Sequence, residues 1–456
     1  MAILPTLWQP RSIDLDQRLG SGQLTKRRKL LPRLREEDMK ERRVILRAGP
    51  HHVTLEMTTR CNLNCAHCRR FNVHEEGSET RGVFGEEVVE DLVGGSGYMD
   101  DAVFERSLDL VRDTEWVSLT GYGEPMLHPR YFDFAARLKE RGHTLDSISN
   151  GTLLNDANVQ KLVDHRFDLL SVSIDGLEDR TLRTIRGVSA DVVFGGLERL
   201  AKAKRAAGLG RDDAPRISIN FAMGRMNIRE MPALARKLAE YDVHVFYAHI
   251  LETASWKDGL APQLIYTDPK VREEAAQIVE QTKAICTQLG INTDFRPIPH
   301  NGMGDEMAGV DLDSAFEVFE RAVTERGSEK RVYKPLAAID MERRRMAERA
   351  KARLAHGDGP KGGGCNGGGC SPFAGPDRLS AQEKLENERC LDFFRYAFVT
   401  WSGKVISCCF ERFGCGDLNL QTAEEVWNGS DYQKLRRGYW EDGMRWVCHG
   451  CSRILD

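Results

Sequence analysis

The residues with most chemical capacity in this chain are twelve cysteines among 456 residues. Three of them fall within eight positions, Cys61-Asn62-Leu63-Asn64-Cys65-Ala66-His67-Cys68. On a loop, three thiolates so spaced can wrap one cuboidal iron–sulfur cluster and leave its fourth iron open. A tetrahedral zinc site would want a fourth nearby ligand and commonly paired C-x2-C knuckles. His67, adjacent to Cys68, does not readily point at the same ion and is expected to pack or to support the ligands. The plain alternative is three unrelated buried thiols. A second set closes the chain: Cys390, then Cys408 following Gly403, then Cys448 and Cys451. Cys365, Cys370, Cys409 and Cys415 lie near that set without an assigned partner. Cys286 sits in an apolar helical pattern and is expected in the core. Twelve cysteines in so long a chain are too sparse and uneven for a small disulfide scaffold.

These residues need elements to position them. His52 to Thr58 reads as a strand ending just before the triplet. Further strand patterns follow at Trp116–Thr120, Leu145–Ser149, Leu169–Ile174, Ile217–Phe221 and Val243–Ile250. Helical patterns separate them at Ala102–Asp113, Tyr131–Arg141, Asn155–Asp164, Phe194–Ala207 and Ile228–Tyr241. Six strands alternating with helices argue for a parallel α/β sheet or partial barrel. Functional residues of such folds gather at the carboxyl ends of the strands. Three polar, Gly-containing motifs fall there: Thr120-Gly121-Tyr122-Gly123-Glu124-Pro125, Ser149-Asn150-Gly151 and Ser173-Ile174-Asp175-Gly176. Gly121 and Gly123 allow close backbone approach, and Glu124 is a natural acceptor for an ammonium group. Residues 69–99 read as a long polar loop over the barrel mouth. Beyond 250 the pattern is less regular, with helices expected at Lys270–Leu289 and Asp340–Leu354 and a Gly-rich linker after the second. The last 70 or so residues begin afresh with a β-like run, Phe394 to Cys409.

The C-x3-C-x2-C triplet behind the first strand, with these motifs in order after it, resembles the radical S-adenosylmethionine (SAM) superfamily over roughly 50–250 and again 388–456. The resemblance implies a partial (β/α)6 TIM-like barrel. In that family the open iron of a [4Fe–4S] cluster chelates the amino and carboxylate groups of SAM. An electron from the cluster cleaves SAM to methionine and a 5′-deoxyadenosyl radical, which abstracts a substrate hydrogen. The resemblance makes Cys61, Cys65 and Cys68 the cluster ligands. Gly121, Gly123 and Glu124 match the family's GGEP segment, with Tyr122 in place of its second Gly. Asn150 matches its TNG motif, Ser173 a SAM-contacting Ser, and Arg186 an Arg that pairs with the SAM carboxylate, a role suited to a bidentate guanidinium.

The tail resembles the SPASM/twitch extension of the same enzymes. Gly416-Asp417-Leu418-Asn419 is similar to its G-N-[LI] turn and Glu425-Val426-Trp427-Asn428 to its E-[IL]-W-N. A full SPASM module continues past the final C-x2-C with more cysteines, whereas this chain ends at Asp456. The expectation is therefore one auxiliary [4Fe–4S] cluster, twitch-like, held by Cys390, Cys408, Cys448 and Cys451, with no open iron. A second cluster using Cys365 and Cys370 with Cys409 or Cys415, a hydrogen-donating thiol at Cys415 or Cys409, and spare loop thiols stay open. The domain reading is an N-terminal extension over 1–50, the barrel over 51–250, an insertion and Gly-rich linker over 251–388, and the auxiliary-cluster module over 389–456.

Composition bounds the rest. Charged residues make up 29% and hydrophobic ones 41%, ordinary for a globular chain. Lys and Arg number 65 against 69 Asp and Glu, and this balance points to neither nucleic acid nor an anionic membrane. The charged leader reads as a solvated helix and flexible arm, its basic run diluted by Glu36, Glu37, Asp38 and Glu41. No apolar run approaches the roughly 18 residues of a membrane span. The N-terminus, broken by Pro5 and Pro10, is not a signal peptide. A reducing cytoplasm is expected, where cysteines serve metals or catalysis. By resemblance to aminocyclitol carbinol dehydrogenases, the substrate is expected to be a small polar molecule, an aminoglycoside, aminocyclitol or sugar in natural-product biosynthesis, undergoing dehydrogenation or diol dehydration. A flavodoxin or ferredoxin-type protein would supply the electron. Candidate acid/base groups at the barrel mouth are Glu56, Tyr122, Asn220 and His249. The alternatives are a peptide-modifying radical SAM enzyme and a non-enzymatic zinc-binding protein.

Overall fold

Alternating small polar and branched apolar residues build the strands of this chain, and capped amphipathic helices separate them. The structure, a computed structural model, describes residues 21–68, 97–251, 263–298, 310–325, 391–407 and 414–442. Among them run α1 (Ser21–Lys40), β1 (His52–Leu55), α2 (Asp101–Leu110), β2 (Trp116–Leu119), α3 (Tyr131–Glu140), β3 (Thr144–Ser149), α4 (Asp156–Asp164), β4 (Leu169–Ser173), α5 (Asp179–Arg186) and α6 (Ala190–Ala206). They continue through β5 (Arg216–Met223), α7 (Met231–Leu238), β6 (Val245–Ile250), α8 (Pro269–Gln288), β7 (Asn292–Phe295), α9 (Ala315–Glu325), α10 (Asp392–Arg395), β8 (Tyr396–Val399), β9 (Lys404–Ile406), β10 (Gly414–Asp417), α11 (Ala423–Trp427) and α12 (Ser430–Asp442). Described residues within 1–55, 99–118 and 368–456 form one compact unit, and those within 56–98 and 119–367 form another.

The second unit carries the parallel strands β3-β4-β5-β6-β7, neighbours in that order. One face is apolar: Leu170 and Val172 pair with Ile217 and Ile219, and all four are fully buried. The other face presents Ser171, Ser173, Ser218, Asn220, Tyr247 and His249, because side chains alternate along each strand. Helix ends follow their sequence signals. Asn155 caps α4 by accepting from Asn158 N at 3.0 Å. α5 stops after Arg186 because Gly187 takes a left-handed φ of 74°.

The first unit orders its strands β10-β9-β8-β1-β2, with β1 parallel to β8 and β8-β9-β10 antiparallel. Here the tail motifs serve architecture. Trp427 Nε1 donates to Ala48 O at 2.9 Å, and Asn419 Nδ2 donates to Ser402 O at 2.7 Å beside Gly403, whose φ is 95°. Thr422 and Glu425 close a capping box on α11. The buried Arg436 guanidinium lies 4.4 Å and 4.9 Å from the ring centres of Trp427 and Tyr432, and donates to Phe393 O and Val44 O. Burial pulls its pKa down to about 10.

Two expectations change. The α/β alternation does not end at residue 250: α8 and parallel β7 extend it, Asp268 capping α8 ahead of Pro269. The leader helix α1 is not wholly solvated, since Leu31 and Asp38 are buried and Asp38 accepts from Arg47 Nε at 2.6 Å. Glu56, a candidate acid/base group, is buried, 2% exposed. Cys286 is buried in α8 as the helical pattern implied. The loop over 69–96, the helix expected at 340–354 and the Gly-rich linker lie outside the described residues. No described helix is long and apolar enough to cross a membrane.

Candidate active site

The cysteine triplet follows β1, and its loop lies in the second unit with the carboxyl ends of β3, β4 and β5. Ala66 N donates to Ile185 O at 2.7 Å, and Ala66 packs with Ile185, Ala222, Met226, Leu251 and Phe319. Cys61, Cys65 and Cys68 are half-buried and free of disulfides. Cys61 Sγ lies 3.4 Å from Leu63 N and 3.6 Å from Asn150 Nδ2; Cys65 Sγ lies 3.8 Å from Arg186 Nη1. Desolvation pushes the Cys65 thiol up to about 12 against the pull of Arg186. N–H donors aimed at two sulfurs suit thiolates bound to iron, whose charge such bonds stabilise. Among the described residues no three His, Cys, Asp or Glu side chains converge as one ion requires. A cuboidal cluster takes each thiolate on a separate iron and needs no such convergence. Three cysteines on one loop, two of them with N–H donors at their sulfurs, are a donor set that fits a cluster.

Arg186, the last residue of α5, is held there by Asp175. The Asp175 carboxylate is 1% exposed, accepts from Arg186 Nε at 2.6 Å and from Ala222 N at 2.8 Å, and lies 3.5 Å from His67 Nε2. Asn227 Nδ2 fixes its backbone by donating to Asp175 O at 2.9 Å. Burial opposes the charge, yet Arg186, His67 and the Ala222 N–H hold the carboxyl below the usual range. Burial likewise opposes the Arg186 cation, and Asp175 and Cys65 outweigh it. His67 Nε2 thus supports Asp175, and burial lowers the pKa of the ring. Asp175 stood inside the quoted Ser173–Gly176 motif without a role. A carboxylate placed between apolar residues at a strand end was the signal for it.

The Gly121–Glu124 loop is sutured to the triplet loop. Gly123 N donates to Thr58 O at 3.1 Å and Glu124 N to Arg60 O at 2.7 Å. A Cβ on Gly123 would stand 2.3 Å from Arg60 O and 2.4 Å from Thr58 O, so only glycine fits. A Cβ on Gly121 would stand 2.4 Å from Glu56 Cγ. Glu56 Oε1 accepts from Tyr122 N at 3.1 Å, while the half-buried Tyr122 side chain sits on the same loop. The buried Glu124 accepts from Asn150 N at 2.7 Å, Ser149 Oγ at 2.9 Å and Met126 N at 3.3 Å. Desolvation pushes its carboxyl up to about 7 against those bonds. Asn150 extends the network: Nδ2 donates to Asn62 Oδ1 at 2.9 Å, and Oδ1 accepts from Thr152. Glu124, Asn150, Arg186 and the triplet are therefore brought together. Ser173 ends β4 nearby in sequence from Asp175 and is 7% exposed. His249 lies on β6 with Tyr247, their rings stacked at 5.8 Å.

Of the tail cysteines, Cys415 is buried in β10, where desolvation pushes its thiol up to about 12. Cys390, Cys408, Cys448 and Cys451, with Cys365, Cys370 and Cys409, lie outside the described residues.

Comparison with known proteins agrees with this geometry. Residues 55–211 match the Radical SAM superfamily, and residues 390–452 match SPASM, an iron–sulfur cluster-binding domain. The chain is 30% identical over 196 residues to a tungsten-containing aldehyde ferredoxin oxidoreductase cofactor-modifying protein of Pyrococcus furiosus, covering 42% of this chain and 49% of that one. It is 30% identical over 204 residues to an AdoMet-dependent heme synthase of Methanosarcina barkeri, covering 44% and 51%. It thus spans about half the length of these curated relatives. A crystal structure of Streptococcus suis SuiB bound to S-adenosylmethionine superposes with a TM-score of 0.53 at 12% identity, covering 92% of this chain and 74% of that one, a likeness of fold. Residues 55–211 are therefore similar to a radical SAM domain, which implies S-adenosylmethionine and a [4Fe–4S] cluster, and residues 390–452 to a SPASM domain, which implies auxiliary iron–sulfur binding.

Proposed function

We propose that this chain is a radical SAM enzyme that abstracts hydrogen from a small polar molecule. The observation that carries the reading is the buried Asp175–Arg186 pair directed at Cys65 within the cysteine triplet. Bound by Cys61, Cys65 and Cys68, the cluster would supply an electron that cleaves SAM and yields the hydrogen-abstracting 5′-deoxyadenosyl radical. Arg186, kept cationic by Asp175, would bind the SAM carboxylate. Gly121, Gly123 and Glu124 would shape the pocket for its amino group, with Asn150 and Ser173 completing the cradle. Glu56, Tyr122 and His249 are the acid/base candidates, and Glu56 accepts from the Tyr122 N–H. Cys390, Cys408, Cys448 and Cys451 would hold one auxiliary [4Fe–4S] cluster. A flavodoxin or ferredoxin in the cytoplasm would be the donor.

The polar sheet face, with Ser171, Ser173, Ser218 and Asn220, favours a hydroxyl-rich substrate such as an aminocyclitol or aminoglycoside, oxidised at a carbinol carbon or dehydrated. The relatives named for heme synthesis and for cofactor modification favour a second reading, in which the substrate is a heme-type tetrapyrrole or another cofactor. Incubating the anaerobically reconstituted chain with reductant, SAM and each class in turn separates them. Stimulation of 5′-deoxyadenosine by aminocyclitols supports the first reading. Stimulation only by a tetrapyrrole or only by a peptide would sink it.

A further inference from the structure

A second polar cluster on the same sheet stands apart from the cysteine triplet in sequence and lies toward the carboxyl ends of β5, β6 and β7. Asn220 of β5 is paired in register with Tyr247 of β6, and Tyr247 with Asp294 of β7. Arg296 follows β7 directly, its N–H donating to Ala248 O at 2.9 Å, so strand alternation carries its side chain to the face of Tyr247 and His249. Arg296 Nε donates to Tyr247 Oη at 3.3 Å, and its guanidinium lies 5.9 Å from the Tyr247 ring centre. The Tyr247 ring is also stacked with His249.

Two features of this cluster lack an internal explanation. Asn220 Oδ1 is buried with no hydrogen-bond partner among the described residues. A buried amide oxygen left unpaired costs about 1–3 kcal/mol, and a ligand hydroxyl or ammonium would remove that cost. Arg296 makes its one side-chain hydrogen bond to a neutral phenol and forms no ion pair with a carboxylate among the described residues, Asp294 included. A partly buried guanidinium without an anion is a fork ready for a planar or tetrahedral oxyanion.

We infer that Arg296 and Asn220 form a substrate-recognition subsite for a small polar molecule bearing a carboxylate or phosphate beside a hydroxyl or amine. Arg296 takes the oxyanion, the Tyr247 ring holds the guanidinium in place, and Asn220 accepts from the neighbouring donor. This rests on the reading of the chain as an enzyme of small polar substrates and adds a negative charge to that class.

The test measures binding of D-glucuronate, D-glucose 6-phosphate and D-glucose to the full reconstituted chain with SAM present. The subsite predicts that an anionic sugar binds at least about tenfold more tightly than glucose. It predicts that Arg296→Met removes the preference and Arg296→Lys restores part of it. Asn220→Ala is expected to weaken every sugar while leaving the preference. Whichever anion binds more tightly distinguishes carboxylate from phosphate. No preference in the unaltered chain, binding of none of the three, or a preference that survives Arg296→Met would overturn the inference. SAM binding measured on the same samples separates the two readings. A chain that fails to bind SAM but prefers the anion loses the radical reading and keeps the subsite; the reverse loses only the subsite.

Discussion

Asp175 is the residue on which most of the site turns. Its carboxylate joins the end of α5, the Ala222 N–H of β5 and the His67 ring beside Cys68. Removing one partner of a buried ion pair strands the other and typically costs about 3–5 kcal/mol. Asp175→Ala is therefore expected to lower the denaturation midpoint and to weaken SAM binding by about tenfold or more. Asp175→Glu is expected to recover SAM binding in part, which a merely structural loss would not do. Glu124 makes a pH prediction. Its carboxyl, ordinarily near 4.5, sits at about 7 in the folded chain, so the fold holds a proton that the unfolded chain releases. Stability from this group is complete below pH 4.5 and is lost as pH rises through about 7. Glu124→Gln should flatten that slope. Urea midpoints of the cluster-free protein at pH 5 and pH 8 would check it, and an unchanged slope would count against the assignment. Both residues stood in quoted motifs, but only Glu124's chemistry was legible there. Asp175's partners, Ala222 N of β5 and Arg186 at the end of α5, meet only in the folded chain, and spacing alone does not bring them together.

Loops at strand ends are the elements that carry the site, and their legibility was uneven for a physical reason. Strand and helix periods are local, so β2 to β6 and their helices stand near the expected positions. Beyond residue 250, β7 (Asn-Thr-Asp-Phe) has three exposed residues and no apolar alternation. Its strand character comes from pairing with β6, and Arg296 was hidden with it. Glycine roles are sharper. Around Gly123 the obstacles to a side chain are backbone carbonyls, whereas at Gly121 they are the Glu56 side chain, which can move. Gly123→Ala is therefore expected to abolish SAM binding and destabilise the chain by about 1–3 kcal/mol, with Gly121→Ala milder on both counts. SAM affinity and thermal melting of the two variants would decide, and equal effects would contradict the distinction.

At the scale of the whole molecule, the fold class and the SAM domain were legible because the triplet and the strand-end motifs are short, ordered and tied to strand boundaries. The tail motifs were legible too, although their work is packing: Trp427 and Asn428 bond to residues 48 and 46 of the leader, pairs some 380 positions apart. Cluster number follows from the cysteine assignment. With the proposed ligands, one [4Fe–4S] cluster at the triplet and one in the tail would give about eight irons per chain. Cys448→Ala should leave about four. Twelve irons would require the further site around Cys365 and Cys370. The central claim is SAM cleavage by a triplet-bound cluster, and one measurement bears on it most directly: 5′-deoxyadenosine formed by the anaerobically reconstituted chain with SAM and a strong reductant. The account predicts its formation by the unaltered chain and its loss in Cys61→Ala. A chain that retains zinc in place of iron after reconstitution, or that forms no 5′-deoxyadenosine while binding a full cluster complement, would contradict it.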